Sequence, residues 1–167
     1  MPKTVNDLMK MPYAAQAIFA VCFAALVFAF IMQFGFDVQP CVLCLWQRAP
    51  YGLAGFLALI AFLYKPYGAY TRTLLLLCAV LFAVGCGLAL FHTGVELHWW
   101  LGTSGCTVPP LSGASAENLR EQLLHTVVAR CDEISWTLLG LSMANWNVFA
   151  SGALAAFSFD AARRIRA

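Results

Sequence analysis

The chain has 167 residues, of which 62% are hydrophobic and 11% charged, and a formal net charge of +2. Soluble domains carry roughly 45–50% apolar and 25% charged residues, so this composition excludes a water-soluble globule and points to lipid as the solvent. The charge is small, and no nucleic-acid partner is expected.

A helix that crosses the hydrocarbon core needs about 20 mostly apolar residues. The first such stretch, 14–36, is too long for a signal peptide and lacks a cleavage-site pattern, so it reads as a retained span. A short connection, 37–45, leads to a second span at 46–64. Lys65 and Arg72 separate this from a third at 73–91. The long segment 92–145 holds most of the polar residues. Within it, the Gly, Ser, Thr and Pro of 102–115 predict a loop. Ser115 then caps a short amphipathic helix, with Glu117 in its first turn and Leu119, Leu123, Leu124, Val127 and Val128 as its apolar stripe. After Cys131, the run Trp136, Leu139, Leu141, Met143 and Trp146 is expected on the bilayer surface as an amphipathic segment, the alternative being the ragged start of the last helix. A fourth span, 146–162, follows. The expected fold is all-α: one integral membrane domain, a four-helix bundle with a short amphipathic helix in its second outer loop.

Seven of the ten Lys and Arg residues fall on one side of such a bundle: Lys3, Lys10, Lys65, Arg72, Arg163, Arg164 and Arg166. The positive-inside rule makes that side the cytoplasm, with both termini there and loops 37–45 and 92–145 outside.

The seven cysteines divide by location. Cys22, Cys78 and Cys86 lie within spans and read as small hydrophobes. Cys41, Cys44, Cys106 and Cys131 lie outside, in a compartment that permits disulfides, and allow three pairings that the sequence leaves open. Cys41-Val-Leu-Cys44 follows Pro40 and opens an apolar helix, whose dipole favours thiolate. Arg48 falls one turn deeper than Cys44 on the same face. An arginine there is costly and is expected to hold an anion, a thiolate or a reduced carbonyl oxygen; the alternative is that it snorkels to lipid phosphate. His92, at the end of the third span, is a candidate to hydrogen-bond a carbonyl or supply a proton.

A Cys₄ zinc site is disfavoured because Cys106 and Cys131 stand 25 positions apart without a second close pair. A c-type haem needs a histidine where Leu45 stands. Redox exchange fits best, and with no G-x-G-x-x-G fingerprint the electron acceptor is expected to be a lipid-soluble quinone, ubiquinone or menaquinone.

Pro40-Cys-Val-Leu-Cys44, Trp46-Gln-Arg48, Cys106, Cys131-Asp-Glu and Trp136-Thr-Leu-Leu-Gly-Leu-Ser-Met-Ala-Asn-Trp146 together resemble the bacterial disulfide bond formation protein B (DsbB) family over nearly the whole chain. The resemblance implies an inner-membrane thiol oxidase that reoxidises a periplasmic DsbA-type thioredoxin-fold partner and passes the electrons to the quinone pool. It further implies that Cys106 forms the mixed disulfide with that partner, that Cys131 exchanges with Cys41, and that Cys44 meets the quinone beside Arg48, with His92 near the same site. The competing readings are a quinone oxidoreductase of the vitamin K epoxide reductase type, whose redox pair sits on a later helix, and a non-catalytic membrane scaffold stapled by static disulfides.

Overall fold

The computed structural model describes residues 13–64, 69–103, 106, 129–134 and 136–165. Among these, helix α1 spans Tyr13–Gly35, α2 Val42–Tyr64, α3 Ala69–Glu96 and α4 Met143–Arg164, with strands β1 (Thr137–Leu138) and β2 (Leu141–Ser142) just before α4. α1, α2 and α3 are each long and apolar enough to cross a membrane. α4 has 22 residues, about 33 Å at 1.5 Å per residue, which also covers a hydrocarbon core of about 30 Å. It is less apolar than the others because Asn147, Ser151 and Ser158 lie along it, and the two serines are buried against neighbouring helices.

The bundle is built inside out relative to a soluble protein. Small residues fill the helix contacts: Ala14, Ala54, Ala58, Ala89 and Ala161 are fully buried, which lets the backbones approach closely where lipid gives no hydrophobic drive between helices. Large apolar side chains point outward instead, among them Phe23, Phe34, Phe56, Val80 and Phe149. One core joins all four helices, with Ile18 and Cys22 from α1, Tyr51 and Ala54 from α2, Leu75, Cys78 and Phe82 from α3, and Ala161 from α4. Pro50 sits inside α2. Gly85 of α3 faces it so closely that a Cβ there would lie 3.3 Å from the proline Cβ.

Four boundaries differ from those expected by three residues or more, among them the start of α3 at Ala69 rather than 73. α2 starts at Val42 rather than 46, α3 continues to Glu96 rather than stopping at 91, and α4 starts at Met143. The helices outrun the apolar pattern because their polar end residues find partners on other helices, so hydropathy falls before the hydrogen-bonded ladder does. The run expected to lie along the surface is a two-stranded antiparallel hairpin pairing Thr137 with Ser142 and Leu138 with Leu141. Leu139 (φ 53°) and Gly140 (φ 79°) turn it, the two positive-φ positions a tight hairpin demands. The predicted amphipathic helix beginning at Ser115 lies outside the described residues.

Candidate functional site

The site forms where α1 ends and α2 begins. Val38 N–H bonds the Met32 carbonyl at 3.0 Å, closing the turn after α1, and Gln39 donates to Asp37 Oδ1 at 2.8 Å. Pro40 then delivers Cys41 to the N-cap of α2, where its carbonyl accepts from Leu45 N–H at 3.1 Å. Its sulfur does what a serine or aspartate oxygen does at a cap: Cys41 Sγ accepts from the backbone N–H of Cys44 at 3.4 Å. The Cys44 thiol lies 3.2 Å from the same sulfur, within hydrogen-bond reach, and His92 Nε2 approaches it at 3.6 Å. These contacts, with the Cys44 thiol foremost and then His92, outweigh burial and hold the Cys41 thiol well below the ordinary thiol range.

Cys106 and Cys131, expected on the long loop, are joined to each other in a disulfide with Cα atoms 4.9 Å apart. Both are fully buried and pack in one cluster with Cys41, Leu43 and Val95, with Cys44 and Phe91 alongside. Local backbone holds the bridge in place: Cys106 N–H bonds the Thr103 carbonyl at 2.7 Å, and Cys131 N–H the Cys106 carbonyl at 3.4 Å. Gly102 admits this arrangement, because a Cβ on it would meet Cys106 Cβ at 2.6 Å. Beside the bridge, Arg130 bonds Asp132 at 2.6 Å and Glu133 at 3.1 Å on the exposed face. The guanidinium holds the Asp132 carboxyl below the usual carboxylate range.

Beside the thiol pair opens a cavity of about 290 Å³, lined by Met32, Cys41, Cys44, Arg48, His92 and Asn147 among others. Arg48 is half-buried on its wall. Its Nη1 donates to Gln33 Oε1 of α1 at 2.7 Å, and its guanidinium lies 5.3 Å from the Phe30 ring centroid. It is therefore engaged inside the bundle, which argues against a side chain that merely snorkels to lipid phosphate. His92, expected at a helix end, is 3% exposed and belongs to α3.

The residues around His92 are those that sequence reasoning missed. Gln47 Nε2 lies 2.8 Å from His92 Nδ1, and Asn147 Nδ2 donates to Gln47 Oε1 at 2.5 Å. Tyr51 and Ser151 both donate to Asn147 Oδ1, at 2.7 and 3.0 Å. On the other side, Glu96 Oε1 lies 3.9 Å from His92 Nε2, and Ser142 donates to Glu96 Oε2 at 2.5 Å. A signal was present in the sequence: Gln47 with Tyr51, His92 with Glu96, and Asn147 with Ser151 are polar pairs one helical turn apart in apolar helices.

The donor atoms of Cys41, Cys44 and His92 lie within 4.8 Å of one another, a spacing a metal ion would fit. Nε2 of His92 faces the Cys41 sulfur at 3.6 Å and the Glu96 carboxylate at 3.9 Å, and an N–H placed there would leave that atom no lone pair for a cation.

The comparisons with known proteins agree with this geometry. The family described as disulfide bond formation protein DsbB matches residues 12–160. A disulfide bond formation protein B of Xylella fastidiosa (strain 9a5c) is 36% identical over 141 residues, covering 82% of this chain and 81% of the relative. Its namesakes are 33% identical over 163 residues in Azoarcus sp. (strain BH72), covering 90% and 92%, and 31% identical over 164 residues in Hahella chejuensis (strain KCTC 2396), covering 90% and 96%. No solved structure matches the chain. With two cysteine pairs packed together at one end of a membrane bundle and a family match over most of its length, the chain belongs to the DsbB family and is a multi-pass membrane oxidoreductase that makes disulfide bonds.

Proposed function

We propose that the chain oxidises a periplasmic DsbA-type thioredoxin-fold partner through Cys106–Cys131 and passes the electrons through Cys41 and Cys44 to a membrane quinone, ubiquinone or menaquinone. The observation that carries this reading is the packing of the two cysteine pairs in one cluster beside the cavity that Arg48 borders.

The cavity fits a quinone headgroup: it is mostly apolar, it opens beside Cys44, and its polar lining includes Arg48 and His92, which would fix orientation. A bound quinone supplies an acceptor for two electrons and two protons. The chain's own residues do the rest. A partner thiolate attacks Cys106 Sγ, the Cys106–Cys131 bond breaks, and Cys131 leaves as thiolate; the second partner thiol then releases Cys106 and the partner departs oxidised. Cys131 thiolate attacks Cys41 Sγ of the oxidised inner pair, forming Cys131–Cys41 and releasing Cys44 as thiolate beside the cavity. Attack of Cys106 on Cys131 restores the outer disulfide and leaves Cys41 and Cys44 reduced, holding both electrons. That stage has the cysteine arrangement described above, with the outer pair bonded and the inner sulfurs 3.2 Å apart and free. Arg48 stabilises negative charge at the cavity wall, and His92 offers an N–H to the Cys41 sulfur. The redox end faces the periplasm and both termini the cytoplasm, supported by the asymmetry of Lys and Arg.

The test is oxidation of a reduced DsbA-type partner by the purified protein with ubiquinone or menaquinone supplied, followed by quinone absorbance. Stoichiometric quinone loss with partner oxidation is expected. Partner oxidation that proceeds equally without quinone would overturn the reading.

A further inference from the structure

Gln47 and Asn147 carry no thiol and no charge, yet they are tied into a buried chain of hydrogen bonds that ends on a reactive sulfur. The direction of that chain follows from its end. His92 Nε2 faces two acceptors, Cys41 Sγ at 3.6 Å and Glu96 Oε1 at 3.9 Å, so the ring proton belongs on Nε2 and Nδ1 must accept. Gln47 therefore turns its amide N–H₂ toward Nδ1, at 2.8 Å, which leaves its Oε1 to accept from Asn147 Nδ2. Asn147 Oδ1 is then an acceptor, and the Tyr51 and Ser151 hydroxyls both donate to it. Every donor points the same way, from the α2–α4 contact through His92 to Cys41. A half-satisfied network in an apolar bundle would be costly; here each amide group named has its partner.

We infer that Gln47 and Asn147 are positioning residues that fix the ring of His92 with Nε2–H aimed at Cys41 Sγ, so that the reduced inner pair carries its negative charge on Cys41. Gln47 does this directly and Asn147 by fixing which way the Gln47 amide faces. The groups around Cys41 are Cys44 on α2, His92 and Glu96 on α3, and the Cys106–Cys131 bridge packed against it. Of these, the side chains of Cys44 and His92 lie within hydrogen-bond reach of the sulfur, so loss of the His92 orientation removes one of its two polar side-chain contacts. The inference deepens the proposed role of Cys41 and Cys44 and rests on it.

The experiment has two arms on the full-length reduced protein. In the first, ¹⁵N NMR of histidine-labelled protein, with the His92 signal assigned through His92→Asn, reads the tautomer directly. The Nε2–H form is expected; the Nδ1–H form overturns the inference whatever any variant does. In the second, thiolate absorbance is titrated with Cys22, Cys78, Cys86, Cys106 and Cys131 all replaced by Ala, leaving the inner pair. Gln47→Leu should lower the Cys41 thiolate-to-thiol ratio about tenfold at a pH within the transition, the loss of one charge-assisted hydrogen bond. Asn147→Leu should move it the same way by less. Unchanged titration in a folded Gln47→Leu protein overturns the inference. Failure of the quinone reading would appear separately, as no reoxidation of the inner pair by quinone, and would leave the tautomer and the titration as they are.

Discussion

Arg48 on α2 and Gln33 on α1 are joined by a 2.7 Å hydrogen bond. The partner is a neutral amide, so the bond places the guanidinium without cancelling its charge. Gln33 thus sets where that charge sits, and Phe30 supplies the flat surface on which it rests. Arg48→Ala should raise the apparent KM for quinone about ten- to a hundredfold, the equivalent of roughly 1.5–3 kcal/mol for a charge-assisted contact. Arg48→Lys keeps the charge but loses the planar fork and should fall between. Steady-state partner oxidation across a quinone titration checks both, with thermal stability followed in parallel; unchanged quinone kinetics in the Ala variant would move the quinone site elsewhere.

Cys106→Ala removes the sulfur that the partner is expected to attack. The variant should lose exchange with the reduced partner while quinone still oxidises Cys41 and Cys44. Trapping of free thiols before and after quinone addition separates the two steps. Rapid quinone-driven oxidation of the partner by this variant would refute the order of transfer.

The three cysteines within the spans, Cys22, Cys78 and Cys86, should be dispensable for chemistry. Cys22 packs against Gly55, and Cys78 and Cys86 reach the backbone carbonyls of Ala54 and Val148 at 3.6 Å. Replacing all three with Ala should leave quinone-dependent oxidation largely intact. The cost should appear as a lower melting temperature, since each change removes buried volume. A folded but inactive triple variant would assign one of them a role in the reaction.

Gly102→Ala should disturb the outer disulfide without touching a thiol. The added methyl meets Cys106 Cβ, which the bridge to Cys131 holds in place, so the backbone at 102–106 must shift. Exchange between the outer and inner pairs should slow, while direct oxidation of Cys41 and Cys44 by quinone stays near wild type. Rapid-mixing measurement of electron transfer between the pairs is the readout, and equal rates would show that the loop absorbs the methyl.

A pH dependence follows from Cys41, which stands one residue before α2. Its thiol is held below the ordinary value in the folded protein, first by the Cys44 thiol and then by His92. The folded state therefore binds fewer protons there than the unfolded state between the two values, and stability rises with pH across that window. The contribution is complete above the ordinary thiol pKa of about 8.5 and is lost as pH falls through the lowered one. Thermal melts of reduced protein from mildly acidic to mildly alkaline pH should show this rise, and Cys41→Ser should flatten the part of the slope that Cys41 supplies.

Much of this was legible in the sequence because lipid imposes simple rules. The long apolar stretches named the helices, and the position of Cys41-Val-Leu-Cys44 ahead of one of them marked the candidate redox pair. The helix ends were not legible, since Gln47, His92 and Glu96 depress hydropathy locally while cross-helix hydrogen bonds keep the backbone helical. The hairpin at 137–142 was hidden for a different reason: its aromatic and leucine content reads equally as a surface helix, and only Leu139-Gly140 in the left-handed region distinguishes them. The partners of His92 come from residues 45 and 51 positions away, and no local pattern announces such a meeting.

That hairpin also acts as an end stop for α4. Trp146 Nε1 bonds the Leu138 carbonyl at 3.0 Å, and Ser142 caps the helix by accepting from Asn145 N–H while bonding Glu96 of α3. The first turn of α4 is thereby clamped both to its own lead-in and to a neighbouring helix. Each residue of an α-helix turns it by about 100°, so one residue gained or lost between the clamp and Asn147 would swing that side chain from α2 toward a different face. The clamp thus sets the phase of a helix whose buried polar residues begin five positions after the cap, and in this bundle the spacing from cap to Asn147 decides what the interior can hydrogen-bond.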